Sequence, residues 1–344
     1  MLNIAITGGG TGGHLAIARA IKDELNQRGV KPIFIGSTKG ADREWFENDD
    51  GFSQKYFFDT KGVVDRGFLG KISSLLNIFL STLKCKKIFK KHNIDTVFSV
   101  GGYSSAPASF GAILFSKPLY IHEQNSKMGA LNRLLSKKAK AIFCSYDENS
   151  PIKDYLIDSE FFKLSRIRKE IKTIIFLGGS QGAKAINDFA ISIADELKNR
   201  DIKIIHQCGK NDMERVTKFY QQNRIQADIF GFTKNIHKKM EKADFAISRA
   251  GASTLWALCA NRLPTLFIPY PYAFKDHQYY NAKFLEDKNL AFIKRENELT
   301  KEYFFNLLES NIEKISTDLE KTISPNGVKD IADYIIRVVE VLRQ

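Results

Sequence analysis

A glycine-rich turn directly after the first apolar run constrains the fold of this chain more than any other feature. Residues 4–7 form a short apolar run, and five glycines then surround Thr11 in the segment 8–14. Glycine lets the backbone turn sharply and approach a ligand closely. The residues from Leu15 to Arg28 have the apolar spacing of a helix. A strand, a Gly-rich turn and a helix in this order predict the start of a doubly wound α/β domain.

The same order of elements returns in the second half of the chain. Residues 173–177 read as a strand, 178–183 as a second Gly-rich turn and 185–197 as a helix. A chain of 344 residues is also too long for one ordinary core. We therefore predict two Rossmann-like doubly wound parallel-sheet domains that face each other across a cleft. The expected segments are a first domain (1–157), a linker (158–172), a second domain (173–325) and a C-terminal helix (326–344) that packs on either domain.

Further short apolar runs, some of them bounded by glycine, fit strands that are buried on both faces of a parallel sheet. In the first half these runs are 32–36, 96–102, 119–122 and 141–144, and in the second half 203–207, 227–231, 245–248 and 266–269.

The composition indicates the cellular compartment of the protein and the state of its cysteines. No apolar run reaches the roughly 18 residues of a membrane helix, and the first residues lack the basic stretch of a signal peptide. We therefore expect a cytoplasmic protein. The four cysteines (85, 144, 208 and 259) are scattered without a Cys-x-x-Cys pair, which favours reduced structural thiols over disulfides or a metal site.

The net charge of +13 leaves several partners open. A basic surface binds nucleic acid, an anionic membrane or a polyanionic substrate, or it reflects a lysine-rich composition alone. The lysines are spread along the whole chain, which favours the last reading. No aromatic–basic stripe or recognition motif supports a nucleic-acid partner.

The first Gly-rich turn suits an oxyanion, because the free N–H groups and the dipole of the next helix point at it. The alternative is a tight turn without a ligand. A nicotinamide site would need an acidic residue near the end of the second strand. The run that predicts this strand ends at residue 36, and the first acidic residue after it is Asp42. No Gly-Lys-Ser/Thr follows at the spacing of a phosphate-binding Walker loop.

Two polar groups in the first half are candidates for chemistry. His14 stands at the start of the first helix, where a neutral imidazole can accept a proton from an attacking hydroxyl. His122, Glu123, Gln124 and Asn125 follow a buried strand, and such polar groups are costly to bury unpaired. We therefore expect them to line a binding site. The segment 101–105 also ends a strand and is a candidate for the acceptor side.

In the second half, the Gly-rich segment 178–182 can bind phosphate through its backbone N–H groups, as the first turn can. Ser253 and Thr254 follow a strand and open a helix, where their hydroxyls can reach a diphosphate. Arg249 either pairs with phosphate or acts structurally. Gln278 either binds a sugar hydroxyl or simply begins a helix.

A resident metal is not expected, because no Asp-x-Asp triplet occurs anywhere in the sequence. A leaving diphosphate would then be stabilised by helix termini and Gly-loop N–H groups. We predict no cofactor and leave dependence on a divalent cation open.

The ordered set of these motifs resembles the MurG family, over most of the chain from about Ile4 to Ala282. That family transfers N-acetylglucosamine (GlcNAc) from UDP-GlcNAc to undecaprenyl-pyrophosphoryl-N-acetylmuramyl-pentapeptide (lipid I), which gives lipid II for peptidoglycan. The resemblance implies a GT-B fold, an inverting displacement at the anomeric carbon, and a peripheral position on the cytoplasmic side of the inner membrane. The matching segments are 8–14, 101–103, 122–125, 177–183, 249–252, 276–278 and 281–282.

The resemblance also implies roles for single residues. His14 is the candidate base or a group that contacts the acceptor diphosphate, and Glu123 is the alternative base. The expected substrate contacts are Thr11, Gly12, Gly13 and Asn125 to the donor, Ser180 near the diphosphate, Ala252, Ser253 and Thr254 at a helix terminus beside the phosphates, and Gln278 to the GlcNAc.

Two departures from the family pattern stand out. Family members usually carry a glutamate that holds the ribose hydroxyls in the helix after the Ala-Gly-Ala turn, and Ala257 takes that position here. Donor affinity should suffer unless another residue compensates. The family's Asn-Pro-Val-Arg element near the domain junction is also missing, and residues 154–158 stand there instead.

The segment 71–91 places apolar residues beside a group of lysines, at positions 84, 86, 87, 90 and 91. An apolar helix face flanked by lysines can lie on anionic lipid, and the alternative is a core-packing helix with a solvated basic side. Two rival functions remain at this stage, a UDP-GlcNAc epimerase or hydrolase of the same fold and a basic nucleic-acid-binding protein.

Overall fold

The computed structural model describes residues 2–60, 62, 67–179 and 181–343, and the chain divides into two compact units. The first unit comprises residues 1–157 together with 326–344, and the second comprises 158–325. Each unit is built around its own parallel sheet.

The first unit alternates strands and helices from its first residues. Its strands are β1 (Ile4–Thr7), β2 (Ile33–Ser37), β3 (Gln54–Phe58), β4 (Thr96–Ser99), β5 (Leu119–Glu123) and β6 (Ala141–Cys144). Its helices are α1 (Gly12–Gln27), α2 (Asp42–Phe46), α3 (Phe68–Lys91), α4 (Ala106–Leu114) and α5 (Ala130–Leu135), with 3₁₀ turns at Tyr103–Ser105 and Ser136–Lys138.

The first sheet has the strand order β3-β2-β1-β4-β5-β6, and every described pairing in it is parallel. This is the Rossmann order 3-2-1-4-5-6. The strand order reverses direction between β1 and β4, which pair from Ile4 with Thr96 to Thr7 with Ser99. Ligands of open α/β sheets bind outside the carboxyl ends of the strands at such a reversal. The turns after β1 and β4 therefore occupy the expected site position.

The second unit continues the alternation. Its strands are β7 (Thr173–Leu177), β8 (Lys203–Gln207), β9 (Ala227–Phe230), β10 (Phe245–Ser248), β11 (Thr265–Phe267) and β12 (Phe292–Ile293). Its helices are α6 (Ser159–Lys163), α7 (Lys184–Asn199), α8 (Met213–Gln222), α9 (Ile236–Lys242), α10 (Ala252–Ala260), α11 (His277–Glu286), α12 (Lys301–Leu307) and α13 (Ile312–Leu319). Its 3₁₀ turns are Lys210–Asp212, Phe274–Asp276, Glu296–Glu298 and Glu320–Thr322.

The second sheet has the order β12-β11-β10-β7-β8-β9, again parallel in its described pairings. Numbered from its own first strand, this sheet also has the order 3-2-1-4-5-6, with the reversal between β7 and β10. The turns after these two strands, which include Gly178 and Arg249, therefore occupy the same position as the turns after β1 and β4.

The segment 158–172, which we interpreted as a linker from its mixed and charged sequence, is packed into the second unit. The reason is Arg168, whose side chain is fully buried. Its guanidinium donates to the carbonyl oxygens of Met240, Ala243 and Asn261. A buried donor that lost these acceptors would be costly, so Arg168 fixes the segment in place.

The C-terminal helix, α14 (Gly327–Arg343), belongs to the first unit. The rings of Tyr334 and Tyr120 lie 6.2 Å apart at 86°. Arg28 at the end of α1 pairs with Asp333. The chain therefore returns to its first unit after completing the second. No helix among the described residues is long and apolar enough to span a membrane.

Candidate functional site

The first Gly-rich turn interlocks with the turn after β4. The amide of Gly9 donates to the carbonyl oxygen of Gly101 over 3.1 Å. Gly8 has φ +119°, and a Cβ there would lie 2.4 Å from the same oxygen. The positive φ and the close approach both require glycine. The packing of the two turns therefore explains part of the glycine content without a ligand.

Thr11 and His14 lie beyond this packed part of the turn. Thr11 is the N-cap of α1, and both Thr11 and Gly12 are exposed. The first N–H groups of a helix have no partner inside the helix, so the amides of Gly12, Gly13 and His14 are oriented as an anion site requires. The hydroxyl oxygen of Thr11 lies 2.7 Å from Nδ1 of His14.

This contact bears directly on His14 as a base. If Nδ1–H donates to the Thr11 hydroxyl, Nε2 is left with a lone pair that can accept a proton. Thr11 then orients the imidazole as the third member of a catalytic triad orients its histidine. The sequence predicted that Thr11 contacts the nucleotide-sugar donor. In the structure its hydroxyl contacts His14.

Glu123 is nearly fully buried at the end of β5. Its carboxylate accepts hydrogen bonds from the amides of Asn125 and Gly129, each over 3.0 Å, and from Nδ2 of Asn132 over 2.8 Å. These three bonds hold the loop that contains Asn125 against α5. They favour a structural role for Glu123 over the role of alternative base.

His122 lies beside the predicted base on the same sheet edge. Its side chain is buried, and its ring centroid lies 5.4 Å from that of Tyr155. Burial, together with the charge of His14, lowers the pKa of His122 to about 3. The imidazole of His122 is therefore neutral at physiological pH.

In the second unit the Gly-rich turn closes on itself, because the amide of Gly182 donates to the carbonyl oxygen of Gly179 over 3.0 Å. It leads into α7 at Lys184. Ser180, predicted to contact the diphosphate, lies outside the described residues. Among the residues that the structure does describe, no group of three His, Cys, Asp or Glu side chains is placed to hold a metal ion.

Arg249 lies at the end of β10 with its side chain turned into the unit. Its guanidinium donates to the carbonyl oxygens of Ile268 and Pro269 over 3.0 and 3.2 Å and pairs with Glu296. The side chain is only 15% exposed. These contacts favour the structural alternative for Arg249 over a contact with phosphate.

Gln278 and the first turn of α10 meet at this sheet edge. Oε1 of Gln278 accepts from the amides of Ala250 and Tyr270 over 3.2 and 3.1 Å. Ala252, Ser253 and Thr254 form the first turn of α10, whose N-cap is Gly251. The structure therefore brings the predicted GlcNAc contact and the predicted phosphate contacts to one edge of the second sheet.

Sequence reasoning gave no role to three charged residues that hold these loops. Glu296 pairs with Arg249, and the neighbouring Arg295 pairs with Asp276 over 2.6 Å at the start of α11. In the first unit Asp42 accepts from the amide of Gly10 over 2.5 Å. These pairings join residues that lie 19 to 47 positions apart in sequence, and a local motif cannot reveal them.

Family descriptions match both units of the chain. Residues 4–144 match the N-terminal domain and residues 173–335 the C-terminal domain of glycosyltransferase family 28. The chain belongs to glycosyltransferase family 28. It is therefore a transferase of sugar groups, with the two Rossmann-like domains that its GT-B fold neighbours share.

Curated family 28 relatives match nearly the whole chain. A protein of Campylobacter fetus is 53% identical over 97% of this chain and 99% of its own length, and a protein of Wolinella succinogenes is 49% identical over 97% and 100%. Both bear the name UDP-N-acetylglucosamine--N-acetylmuramyl-(pentapeptide) pyrophosphoryl-undecaprenol N-acetylglucosamine transferase. The chain is thus a member of the MurG group within family 28.

Solved structures agree with this placement. Acinetobacter baumannii MurG superposes with a TM-score of 0.82 at 25% identity and covers 98% of this chain and 100% of its own. The glycosyltransferase SnogD from Streptomyces nogalater superposes with a TM-score of 0.68 at 14% identity, covering 98% and 100%, and shows the fold alone. The predicted GT-B fold class and the predicted MurG resemblance are confirmed.

Proposed function

We propose that this protein transfers GlcNAc from UDP-GlcNAc to lipid I and so forms lipid II. The family membership and the names of the relatives at 49–53% identity carry the proposal. The Thr11–His14 pair lies where the strand order of the first sheet reverses, and it supplies the general base that the reaction needs. In this proposal residues 173–325 bind the nucleotide sugar and residues 1–157 bind the lipid-linked acceptor.

The proposed reaction is a single inverting displacement. The acceptor hydroxyl attacks the anomeric carbon on the face opposite UDP, and the bond from that carbon to the diphosphate oxygen breaks. Nε2 of His14 takes the proton of the hydroxyl. The N–H groups at the start of α10 stabilise the charge on the departing diphosphate.

Transfer of labelled GlcNAc to a lipid I analogue tests this proposal. We expect a lipid-linked disaccharide from the native chain and a loss of about 10²–10⁴-fold in kcat for His14→Gln. Release of free GlcNAc, or of a C2 epimer, without acceptor would instead support the hydrolase or epimerase alternative. Salt-dependent DNA binding without UDP-GlcNAc binding would support a nucleic-acid-binding protein.

We further propose that α3 places the protein on the cytoplasmic face of the inner membrane. Apolar side chains of α3 are exposed, and lysines follow them along the same helix. A lone surface leucine needs no explanation, but a contiguous apolar patch beside basic residues is typical of membrane contact. The exposed apolar residues are Ile72, Leu75, Leu76, Phe79, Leu80 and Leu83, and the exposed lysines are Lys84, Lys86, Lys87, Lys90 and Lys91.

Flotation with vesicles that contain anionic phospholipid tests the membrane proposal. Charge reversal at Lys84, Lys87 and Lys91 should release the protein from the vesicles, because each lysine near an anionic surface contributes about 1 kcal/mol. Reversal of three exposed lysines in the second unit, Lys198, Lys218 and Lys238, is the matched control. Unchanged flotation after reversal on α3 would refute this part of the proposal.

A further inference from the structure

Asp42 is a buried carboxylate beneath the first Gly-rich turn. It is the first residue of α2, and its side chain has no exposed surface. One carboxylate oxygen accepts from the amide of Gly10 over 2.5 Å, and the other accepts from the amide of Ser37 over 2.9 Å. Asp42 therefore ties the turn after β1 to the end of β2.

Glycines in the surrounding backbone make room for this carboxylate. A Cβ at Gly9 would lie 2.4 Å from Oδ1 of Asp42, and a Cβ at Gly36 would lie 2.9 Å from Oδ2. The ring of Tyr103 closes the other side, because a Cβ at Gly10 would lie 2.7 Å from it. Two glycines thus allow the carboxylate to enter, and a third receives the aromatic ring.

This arrangement is costly for the folded protein. No ion pair links Asp42 to a basic side chain in the described part of the chain. Burial raises the pKa of Asp42, and the hydrogen bonds from the Gly10 and Ser37 amides only partly oppose this. A buried charge without a counter-ion is unfavourable. A side chain with two acceptor oxygens nonetheless satisfies both the Gly10 and the Ser37 amide, which points to a use for the carboxylate in the turn itself.

The contact fixes the direction in which the turn leaves the sheet. Because the Gly10 amide points at Asp42, it does not point at a ligand. The next residue is Thr11, whose hydroxyl contacts His14. We propose that Asp42 is a positioning residue that holds the first Gly-rich turn so that the Thr11–His14 pair faces the reacting groups. This proposal rests on the proposed transfer function.

Asp42→Asn is the informative substitution. The amide keeps the shape and one acceptor oxygen, but its NH₂ group faces a backbone amide that needs an acceptor. We expect kcat to fall at least about tenfold. Binding of UDP-GlcNAc, measured by calorimetry, should keep its stoichiometry and change its Kd far less than kcat changes. The predicted phosphate and GlcNAc contacts lie in the second unit, and only the predicted donor contacts at Thr11, Gly12 and Gly13 lie on the turn.

A double variant separates positioning from simple destabilisation. If Asp42 acts through His14, Asp42→Asn should cost almost nothing further in the His14→Gln background. A merely structural effect would multiply with the effect of His14→Gln. Asp49→Asn is the matched control, since Asp49 also accepts from a glycine amide (Gly51, 2.9 Å) in the same unit. It should lower the melting temperature and leave kcat unchanged.

A second readout does not depend on transfer. In ¹⁵N-histidine NMR, where His14→Gln assigns the resonance, Asp42→Asn should shift the ring signals of His14 and Asp49→Asn should not. If Asp42→Asn fails to fold, Asp42→Ser takes its place. Unshifted His14 signals, kcat within twofold of native, or multiplying effects would overturn the proposal. An inactive native chain with a shifted His14 signal would refute the transfer function and leave the positioning role supported.

Discussion

The hydroxyl of Thr11 lies 2.7 Å from Nδ1 of His14, so at the scale of single residues this pair is the part of the site most open to test. Thr11→Val keeps the shape but removes the oxygen that contacts Nδ1 of His14. We expect kcat to fall about tenfold, as a fraction of what a general base contributes. The side chain of Thr11 makes no capping hydrogen bond to α1, so helix stability should change little.

Thr11→Ser is the control for this prediction, because it keeps the hydroxyl. It should retain most of the activity of the native chain. Steady-state kcat with saturating donor and acceptor is the measurement. If Thr11→Val were as active as Thr11→Ser while His14→Gln was inactive, the hydroxyl would have no orienting role.

Ala257 is buried in α10, at the position where the resemblance to the MurG family leads one to expect a glutamate that holds the ribose hydroxyls. Ala257→Glu buries a carboxylate without a partner in the free protein, which is costly. Vicinal ribose hydroxyls would supply partners. We therefore expect a lower melting temperature without ligand and a larger rise on addition of UDP than in the native chain, because ligand binding stabilises the folded state. Thermal unfolding with and without UDP measures both effects.

The matched control at this position is Ala257→Leu, which adds bulk without an acceptor. It should lower the melting temperature without increasing the response to UDP. An equal UDP response in Ala257→Glu and Ala257→Leu would mean that the position does not face the ribose.

At the scale of elements, burial decided which strands could be predicted from the sequence. The central strands β1, β4, β7 and β10 are almost wholly apolar and buried, and each stands out as an apolar run. The runs of β1, β4 and β7 end at a glycine. The edge strands β3 and β12 were missed. β3 begins with Gln54 and Lys55 and has no fully buried residue, and β12 has only two residues. Edge strands have one neighbour, so their sequences need not be apolar throughout.

The short segment of Arg295 and Glu296 after β12 holds two loops of the second unit in place. Glu296→Ala leaves the guanidinium of Arg249 without its carboxylate, while the two carbonyl acceptors remain. We expect a loss of about 1–3 kcal/mol in the free energy of unfolding of this unit, because Arg249 is mostly buried. We also expect weaker UDP-GlcNAc binding, since Gln278 and α10 depend on the same loops.

Glu286→Ala is the control for this pair. Glu286 pairs with Lys283 on the surface of α11 over 3.0 Å, and exposed ion pairs contribute little. Chemical denaturation followed by Trp256 fluorescence in a Trp45→Phe background reports on the second unit, because Trp45 and Trp256 are the two tryptophans of the chain. Equal losses for Glu296→Ala and Glu286→Ala would contradict the prediction.

At the scale of the whole molecule, the repeat of strand, Gly-rich turn and helix was enough to predict two doubly wound units. It was not enough to predict how far each unit extends along the chain. Arg168 packs the segment 158–172 into the second unit, and Tyr334 packs α14 on the first. These contacts join residues 75 and 214 positions apart, so neither leaves a local signal. The same holds for Asp42 and Glu296, whose partners lie 32 and 47 positions away in sequence.

The buried histidines make the stability of both units depend on pH. His206 has no exposed surface, and its ring nitrogens lie 3.1 Å from the hydroxyl of Tyr220 and 3.0 Å from Oδ1 of Asn187. A neutral imidazole satisfies both contacts. Burial lowers the pKa of His206 from 6.5 to about 4. The folded second unit therefore resists a proton that the unfolded chain takes up.

This lowered pKa sets the direction and the pH range of the change in stability. The contribution of neutral His206 to stability is complete above pH 6.5 and is lost as the pH falls from 6.5 to about 4, with no further loss below. The loss amounts to about 3 kcal/mol over that window.

With Trp45→Phe present, urea midpoints at pH 7.5, 5.5 and 4.5 should fall steadily. His206→Gln should start from a lower midpoint at pH 7.5 and fall less steeply. His237→Gln, at a partly exposed histidine of the same unit, should keep the native slope. A native slope in His206→Gln would show that acid acts on this unit through other groups, of which the ion-paired Asp212, with its lowered pKa, is the first to test.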